Sequence, residues 1–311
     1  MKITITGGAG FIGGNLVRHL SRIPEFTEIR VVDDLSTGFE ENLSGLPVRF
    51  FEGSVLDSGL LDLAFDGVDT IVHLAALPSV SRSVKDPVAS HHANATGTLS
   101  VLEAARRAGG TRVIAASSSS VYGANPHIPK HEELRPVPMS PYAVSKLAGE
   151  AYLAAYHHCY GLPVLSFRFF NVFGPLQPAG HSYAAVIPAW ITAAAAGRPL
   201  VVHGDGSQTR DFTYVGTVCQ VLAQAALRKV STPDPVNLAY GGRTSLMSLI
   251  AELELTLGTE LRTEHQPNRP GDVRHSQADD TRLRNLFPEI EPTSLRNGLK
   301  RTVRWFLTQD G

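Results

Sequence analysis

The chain has 311 residues, of which 43% are hydrophobic and 18% are charged, an ordinary globular balance with enough apolar surface for a large core. Its formal net charge of −1 argues against a dedicated nucleic-acid-binding protein, which would carry a basic excess. Cys159 and Cys219 are too few for a disulfide framework and lack metal-ligand spacing, so we predict no metal site. Residues 1–6 are typical of a strand, glycines interrupt any signal-peptide core, and the apolar run 193–196 is too short for a bilayer, so we predict a cytoplasmic protein without a membrane partner.

The first half of the chain alternates short β-branched runs with longer helical patterns, as in a parallel sheet flanked by helices. In chain order, the predicted strands are 3–6, 29–33, 49–52, 70–74, 113–117 and 164–168, and the predicted helices are 10–20, 87–108 and 141–160. After about Phe169, turn-rich stretches separate shorter elements, and helices are predicted near 245–257 and 294–307. We therefore predict a Rossmann-type, doubly wound parallel α/β domain over residues 1–170. Residues 171–311 would form a smaller α/β substrate domain, with some chain crossing back to the first.

A glycine-rich turn follows the first predicted strand. Gly7, Gly10 and Gly13 stand where glycine permits a tight turn, close approach to a pyrophosphate and close helix–strand packing. The helix N-terminus then presents N–H groups and a partial positive charge to the phosphates. Asp33, 20 residues beyond Gly13, can accept hydrogen bonds from an adenosine ribose and would repel a 2′-phosphate, which favours NAD over NADP. The alternative is that Asp33 and Asp34 only cap a turn.

Tyr142 and Lys146 are four residues apart at a predicted helix start, which places both side chains on one face. A free phenol has a pKa of about 10, but a nearby ammonium and a positive nicotinamide would lower that pKa and make it a usable base. The alternative is an ordinary surface pair. Serines 117–120 end the fifth strand, at the sheet edge that faces the ligand crevice, where a hydroxyl can bond the reacting oxygen. Chemistry alone leaves open which serine does so and which serve the turn.

Three motifs, TGGAGFIG, the serine run before VYG, and SPYAVSK, together resemble the extended short-chain dehydrogenase/reductase family. The resemblance covers essentially the whole chain and continues through RFFNVFGPLQ, YAAVIPAW, GDGSQTRDFTYV and GDVRHSQAD. These later stretches are similar to the UDP-sugar 4-epimerases, particularly the subgroup acting on UDP-N-acetylhexosamines and their uronic acids. The resemblance implies an NAD-dependent isomerase that oxidises C4 of a UDP-hexose to a 4-keto sugar and re-reduces it on the opposite face. UDP-N-acetylglucosamine and UDP-N-acetylgalactosamine are the expected substrates, with UDP-glucose and UDP-galactose also accepted.

The resemblance also assigns site residues. Ser118, four residues before the tyrosine of VYG, is implied as the catalytic hydroxyl, Tyr142 as the base for the sugar 4-OH, and Lys146 as a ligand of the nicotinamide ribose. The implied cofactor-binding residues are Gly7, Gly10, Phe11, Ile12, Gly13, Asp33, Asp34, Ser54, Val55, Leu74, Ala75, Ala76, Asn94, Ser117, Tyr142, Lys146 and Phe169. The implied substrate-binding residues are Arg82, Ser118, Ser119, Ser120, Tyr142, Asn171, Ala185, Val186, Val202, Arg210, Arg269, Asp272 and Ser276. Among these, Asn171, Arg210 and Arg269 match ligands of the nucleotide diphosphate, and Asp272 matches a residue near the nucleotide ribose.

Three positions bear on the choice of sugar. Ser54 stands where the family usually has an aspartate that contacts adenine, and Pro78 replaces a lysine of some galactose epimerases, so identity with those enzymes is in doubt. Ser276 occupies the position of a gate beside the C2 substituent of the sugar. Because a bulky tyrosine there excludes an N-acetyl group by overlap, serine predicts that the group is tolerated.

Other functions stay open. A dehydratase would need an acidic pair at the positions of Ser119 and Ser120, and UDP-glucuronate decarboxylases usually carry glutamate at the position of Ser120, so both lose support. A nucleotide-sugar reductase needs the same serine, tyrosine and lysine. A UDP-glucuronate 4-epimerase shares the SSSSVYG run and could pair Arg82 with the carboxylate. A non-catalytic NAD-binding regulator usually lacks the tyrosine or the lysine, and both are present here.

The family resemblance also implies a homodimer. Its usual interface is a four-helix bundle formed by the helices predicted over residues 87–108 and 141–160. Leu99, Leu102 and Leu153 either face outward in this interface or belong to the core of one chain.

Overall fold

The computed structural model describes residues 1–179, 185–267 and 273–309. Its strands are β1 Lys2–Thr6, β2 Glu28–Asp33, β3 Val48–Glu52, β4 Thr70–His73, β5 Arg112–Ser118, β6 Val164–Phe169, β7 Asn171–Phe173, β8 Leu200–His203, β9 Thr209–Arg210, β10 Phe212–Tyr214, β11 Val236–Leu238, β12 Thr244–Ser245 and β13 Thr263–Gln266. Its α-helices are α1 Phe11–Leu20, α2 Ser58–Phe65, α3 Val80–Lys85, α4 Pro87–His91, α5 Gly97–Arg107, α6 Pro141–Tyr160, α7 Val186–Ala195, α8 Val215–Leu227, α9 Leu246–Leu257, α10 Thr281–Leu286 and α11 Leu295–Gln309. None of the helices in these three ranges combines the length and the apolar character that crossing a bilayer requires.

Seven strands form one parallel sheet in the order β11-β6-β5-β4-β1-β2-β3. Successive residues of a strand face opposite sides, and each side has its own apolar core. Val31 packs with α1 and α8 on one side, whereas Val32 packs with α2, α5 and α6 on the other. The sheet is therefore covered by helices on both faces, which confirms the predicted Rossmann-type, doubly wound fold.

The second half of the chain contributes most of its own strands as separate pairs. β7 pairs with β10 and β8 with β13, both in parallel, and β9 pairs antiparallel with β12. Strand β11, however, joins the main sheet beside β6. The later residues thus return to the first sheet, while the division of the chain at residue 170 stays a prediction.

The predicted strands and helices of the first half match the observed ones closely, with one clear exception. The helix predicted over residues 87–108 consists of α4, a π-helical turn over His92–Thr96, and α5. The pattern of apolar residues did not reveal this wider turn, because a π-turn shifts the helix face only locally.

The three leucines that the sequence could assign either to a dimer interface or to the core pack inside a single chain. Leu102 and Leu153 are buried in the core under α5 and α6, and Leu99 is half-buried against the same core. They therefore do not form an outward face.

Candidate active site

The turn between β1 and α1 depends on glycine at two positions. Gly7 has φ +72°, a left-handed backbone that side chains disfavour, and a Cβ there would lie 2.6 Å from the Ala75 nitrogen. A Cβ on Gly13 would lie 2.1 Å from the Gly7 carbonyl oxygen. Helix α1 then begins after Gly10, which offers no side-chain cap to its first N–H groups. This turn has the shape and the N–H donors that suit a pyrophosphate.

Asp33, at the end of β2, organises the loops beside this turn. One carboxylate oxygen accepts the Ala9 N–H at 2.9 Å, and the other accepts the Leu35 N–H at 2.9 Å. Burial raises the pKa of Asp33, and these two backbone hydrogen bonds oppose that rise. Asp34 instead accepts both the N–H and the hydroxyl of Ser36, so it caps a turn. Asp33 therefore has a structural role in addition to the predicted ribose contact.

A cavity of about 520 Å³ opens along the carboxyl ends of the sheet strands. It is lined by all but one of the predicted cofactor residues, namely Gly7, Gly10, Phe11, Ile12, Gly13, Asp33, Asp34, Ser54, Val55, Leu74, Ala75, Ala76, Ser117, Tyr142, Lys146 and Phe169. Lining residues that the sequence did not single out include Thr37, Leu77, Phe170 and Gln177. The glycine turn, which a Cβ would fill, and the carboxylate at the end of β2 together fit a dinucleotide such as NAD.

Asn94 is the predicted cofactor residue that does not line the cavity. It lies in the π-helical turn and is buried. Its side chain accepts the Leu77 N–H at 2.8 Å and donates to the Leu77 carbonyl and to the Ser145 hydroxyl. Because its hydrogen-bonding groups are used within the protein, Asn94 supports the cavity wall from behind.

The predicted catalytic residues come together where β5 ends and α6 begins. Ser140 caps α6 by accepting the Ala143 N–H at 3.2 Å, and proline follows at the first helical position. This start places Tyr142 in the cavity beside Ser118, whose hydrogen bond acts on the phenol. Ser118 Oγ also accepts the hydroxyl of Ser120 at 2.9 Å. The structure thus separates the serines by role, since Ser120 supports Ser118 rather than lining the cavity.

The protein alone does not supply the lowered phenol pKa that the sequence predicts. Burial raises the pKa of Tyr142, although hydrogen bonding with Ser118 acts in the opposite direction. Burial also lowers the pKa of the Lys146 ammonium to about 8, and this ammonium donates to the Ala116 carbonyl at 3.0 Å. Lys146 is therefore charged at neutral pH, but a phenol pKa below its ordinary value would require the positive charge of a bound oxidised cofactor.

One charged residue at this site was missed by sequence reasoning. Glu150 lies one helical turn beyond Lys146 and accepts the hydroxyl of Ser117. It also forms a buried ion pair with Arg168 on β6. The spacing of four residues after Lys146 was visible in the sequence, but its buried partners were not.

Among the predicted substrate residues, three lie close together, two fall outside the described residues and one is buried in the core. The Asn171 N–H on β7 donates to the carbonyl of Asp211, the neighbour of Arg210 on β9, at 3.2 Å. The Ser276 N–H donates to the Thr209 carbonyl at 3.1 Å, so these three positions are close together. Arg269 and Asp272 lie outside the described residues. Val202 is fully buried in the core and offers no side-chain surface to a ligand.

The other predicted substrate residues lie at separate places. Arg82 is in α3, just after the cavity-lining Pro78. Ala185 and Val186 stand at the start of α7, and Ser119 begins the short 3-10 turn after β5.

Comparisons with known proteins agree with this geometry. Residues 3–239 match the family model described as the NAD dependent epimerase/dehydratase family. The chain is 36% identical to a UDP-glucose 4-epimerase of Mycolicibacterium smegmatis, over 98% of both chains. Among solved structures, it is similar to the UDP-N-acetylglucosamine 4-epimerase of Methanobrevibacter ruminantium in complex with UDP-N-acetylmuramic acid, with 34% identity, a TM-score of 0.93, and coverage of 99% and 98%. The UDP-glucuronic acid 4-epimerase of Bacillus cereus, in complex with UDP-glucuronic acid and NAD, has 29% identity, a TM-score of 0.90, and coverage of 99% and 100%.

Proposed function

The chain belongs to the NAD dependent epimerase/dehydratase family, and we propose that within this family it is a UDP-sugar 4-epimerase that acts on UDP-N-acetylglucosamine and UDP-N-acetylgalactosamine. It is an isomerase whose cofactor is NAD, as the sequence predicted. The observation that carries the proposal is the meeting of Ser118, Tyr142 and Lys146 at one end of the dinucleotide cavity. UDP-glucose and UDP-galactose are proposed as further substrates, and a cytoplasmic location remains a prediction.

The residues of this site suit a reversible oxidation of an alcohol. NAD, held by the glycine turn of Gly7, Gly10 and Gly13, would supply the acceptor, and then the donor, of the hydride exchanged with C4 of the sugar. Tyr142, as phenolate, takes the proton of the 4-OH and gives it back in the return step. Ser118 donates a hydrogen bond to the same oxygen, and Lys146 stabilises the phenolate by its charge. The net reaction leaves the oxidation state of sugar and cofactor unchanged.

Inversion at C4 also requires that the nucleotide stays fixed while the keto sugar turns. Asn171 and Arg210 lie close together, because the Asn171 N–H donates to the carbonyl of Asp211, and we propose that they hold the diphosphate. The residues that act on C4 lie instead at the end of β5 and in the first two turns of α6. We propose that the keto sugar rotates between these two parts of the site.

The alternative reactions have less support at this site. Ser119 and Ser120 supply no carboxylic acid for the elimination that a dehydratase requires, and Ser120 is bonded to Ser118. UDP-glucuronate is the strongest competing substrate, since Arg82, in α3, follows the cavity-lining Pro78 by four residues. A regulator without activity would not need both Tyr142 and a buried Lys146 in the wall of one cavity.

The choice of sugar rests on Ser276, which is half-buried and bonded to the strand that carries Arg210. The purified protein should be incubated separately with UDP-N-acetylglucosamine, UDP-galactose and UDP-glucuronate, and the C4 epimers followed by NMR. We expect inversion of the first two. If only UDP-glucuronate is inverted at C4, then UDP-glucuronate is the substrate and the N-acetylhexosamine proposal is wrong. If none of the three UDP-sugars is inverted, the proposed function is rejected.

A pair of variants tests the gate. Ser276→Tyr fills the space beside C2, so it should suppress epimerisation of UDP-N-acetylglucosamine far more than that of UDP-galactose. Ser276→Ala is the matched control, because it keeps the space open, and both activities should persist. Equal losses of both activities in Ser276→Tyr would refute the gate.

A further inference from the structure

Two side-chain hydrogen bonds connect helix α6 to strand β5. They involve Lys146 and Glu150, which are one helical turn apart on α6. The Lys146 ammonium donates to the Ala116 carbonyl at 3.0 Å, and the Ser117 hydroxyl donates to a carboxylate oxygen of Glu150. Ser117 immediately precedes Ser118. These bonds therefore set the distance between the strand that carries the catalytic hydroxyl and the helix that carries the phenol.

The Glu150 carboxylate is itself held from a third element. Arg168 on β6 donates to its two oxygens at 2.9 and 2.7 Å, and both side chains are less than 8% exposed. The guanidinium also lies over the Tyr122 ring, 4.7 Å from its centroid. Because the planar Arg168 guanidinium binds both carboxylate oxygens and also packs on the Tyr122 ring, the Glu150 carboxylate has little freedom to rotate.

We propose that Glu150 is a positioning residue for the epimerase reaction, which holds α6 on β5 through Ser117 and keeps an anionic charge one turn from Lys146. This inference rests on the proposed function. Glu150 does not line the cavity, so it acts through Lys146 and Ser117 rather than on the substrate.

The electrostatic part of this role follows from the groups around Lys146. Burial lowers the pKa of Lys146 to about 8, and the charge of Glu150 opposes that effect. His73 on β4 faces the same ammonium but is neutral, because burial and the charge of Lys146 lower its pKa to about 3. Tyr142 precedes Lys146 by one turn, and Arg168 is the cation that balances Glu150. Without Glu150, the Lys146 ammonium would face a neutral His73, and the positive charge of Arg168 would be left without its partner.

The first test measures the ionisation of Lys146 directly. The protein without NAD is labelled with ¹³C at lysine Cε, the Lys146 signal is assigned by its loss in Lys146→Arg, and the pH is varied. We expect Glu150→Gln to lower the pKa of Lys146 by about one unit or more. Ser117→Ala keeps every charge and should leave that pKa close to the wild-type value. An unchanged pKa in folded Glu150→Gln would overturn the electrostatic role.

Glu150→Gln leaves Arg168 buried without its partner, which destabilises the fold, so Glu150→Gln/Arg168→Met provides a second measurement. This double variant removes both charges and should also lower the pKa of Lys146, but less than the single one. A pKa at or above the wild-type value in the double variant would contradict the proposal.

The second test concerns the bond to Ser117. With UDP-N-acetylglucosamine as substrate, Ser117→Ala should lower kcat by about 10- to 100-fold, with a much smaller change in KM, because the reacting groups lose their alignment. Ser117→Thr, which retains a hydroxyl, should recover much of kcat. An unchanged kcat in Ser117→Ala would overturn the positioning role. If the wild-type protein epimerises no UDP-sugar, the proposed function fails, whereas the NMR titration still decides the link between Glu150 and Lys146.

Discussion

A methyl group on Gly13 would lie 2.1 Å from the carbonyl oxygen of Gly7, far inside van der Waals contact. The same group on Gly10 would lie 3.3 Å from that oxygen, which a small shift can relieve. Gly13 is therefore required for the packing of α1 on β1. Gly10 lines the cavity and instead leaves room for the cofactor.

The two glycines should consequently differ when each is replaced by alanine. We expect Gly13→Ala to lower the free energy of unfolding by about 1–3 kcal/mol or more, because it overpacks the turn. Gly10→Ala should leave the protein near wild-type stability without NAD but weaken NAD binding. Urea unfolding without cofactor and calorimetric titration with NAD measure the two effects. Equal losses of stability in both variants would contradict this division of roles.

Tyr142→Phe removes one hydroxyl and keeps the ring that lines the cavity. We expect turnover of UDP-N-acetylglucosamine to fall by about 10²- to 10⁴-fold, because the base for the 4-OH is lost. NAD binding and the unfolding midpoint should stay close to those of the wild type. A variant that retains more than a tenth of wild-type turnover would show that another group takes the proton.

Much of the fold was predictable because its signals are local. The six strands of the first half are short β-branched runs between turns, and their predicted ends lie within a residue or two of the observed ones. Helix α8 was not predicted, because most of its residues are buried and it therefore lacks the polar face that marks a helix in sequence. The return of β11 to the main sheet depends on pairing across more than 60 residues, which no local pattern encodes.

The site was predictable to a similar extent. The glycine turn and the Tyr142–Lys146 spacing are local motifs, and the structure brings them to one cavity. Glu150 was missed because its partners, Ser117 and Arg168, are distant in sequence and meet it only in the folded chain. For the same reason, nothing in the sequence showed that Asn94 is buried behind the cavity wall and that Val202 is in the core.

An apolar helix face, formed by Val84, Val88, Val144 and Tyr152 on α3, α4 and α6, is exposed in the single chain. We propose this face as the homodimer interface, in place of Leu99, Leu102 and Leu153. Light scattering should give the wild type twice the mass of one chain, and Val88→Glu should shift it toward a monomer, because a charge would be buried in the interface. Leu63→Glu, at a similarly exposed leucine on α2, is the matched control and should leave the mass unchanged. A wild type that stays monomeric at micromolar concentrations would rule out the interface.

Asp211, between β9 and β10, holds together three segments near the proposed diphosphate site. It is buried, and one carboxylate oxygen accepts the Ala278 N–H at 3.0 Å. Backbone hydrogen bonds from Gly241 and Gly242 also act on it. Burial nevertheless raises the pKa of Asp211 to about 6, from an ordinary value of 3.8, with Asp280 as the nearby like charge.

This raised pKa predicts how stability depends on pH. Between pH 4 and pH 6, the folded protein keeps a proton on Asp211 that the unfolded chain releases, so this contribution to stability is complete below about pH 4 and is lost as the pH rises through about 6. The difference corresponds to about 3 kcal/mol. Asp211→Asn cannot ionise, so urea unfolding of both proteins from pH 4 to pH 7 should show the wild type losing stability relative to the variant by about this amount. Parallel curves would show that Asp211 ionises at its ordinary pKa in the folded protein. A wild type that instead gains stability relative to the variant would show that the backbone N–H groups outweigh burial.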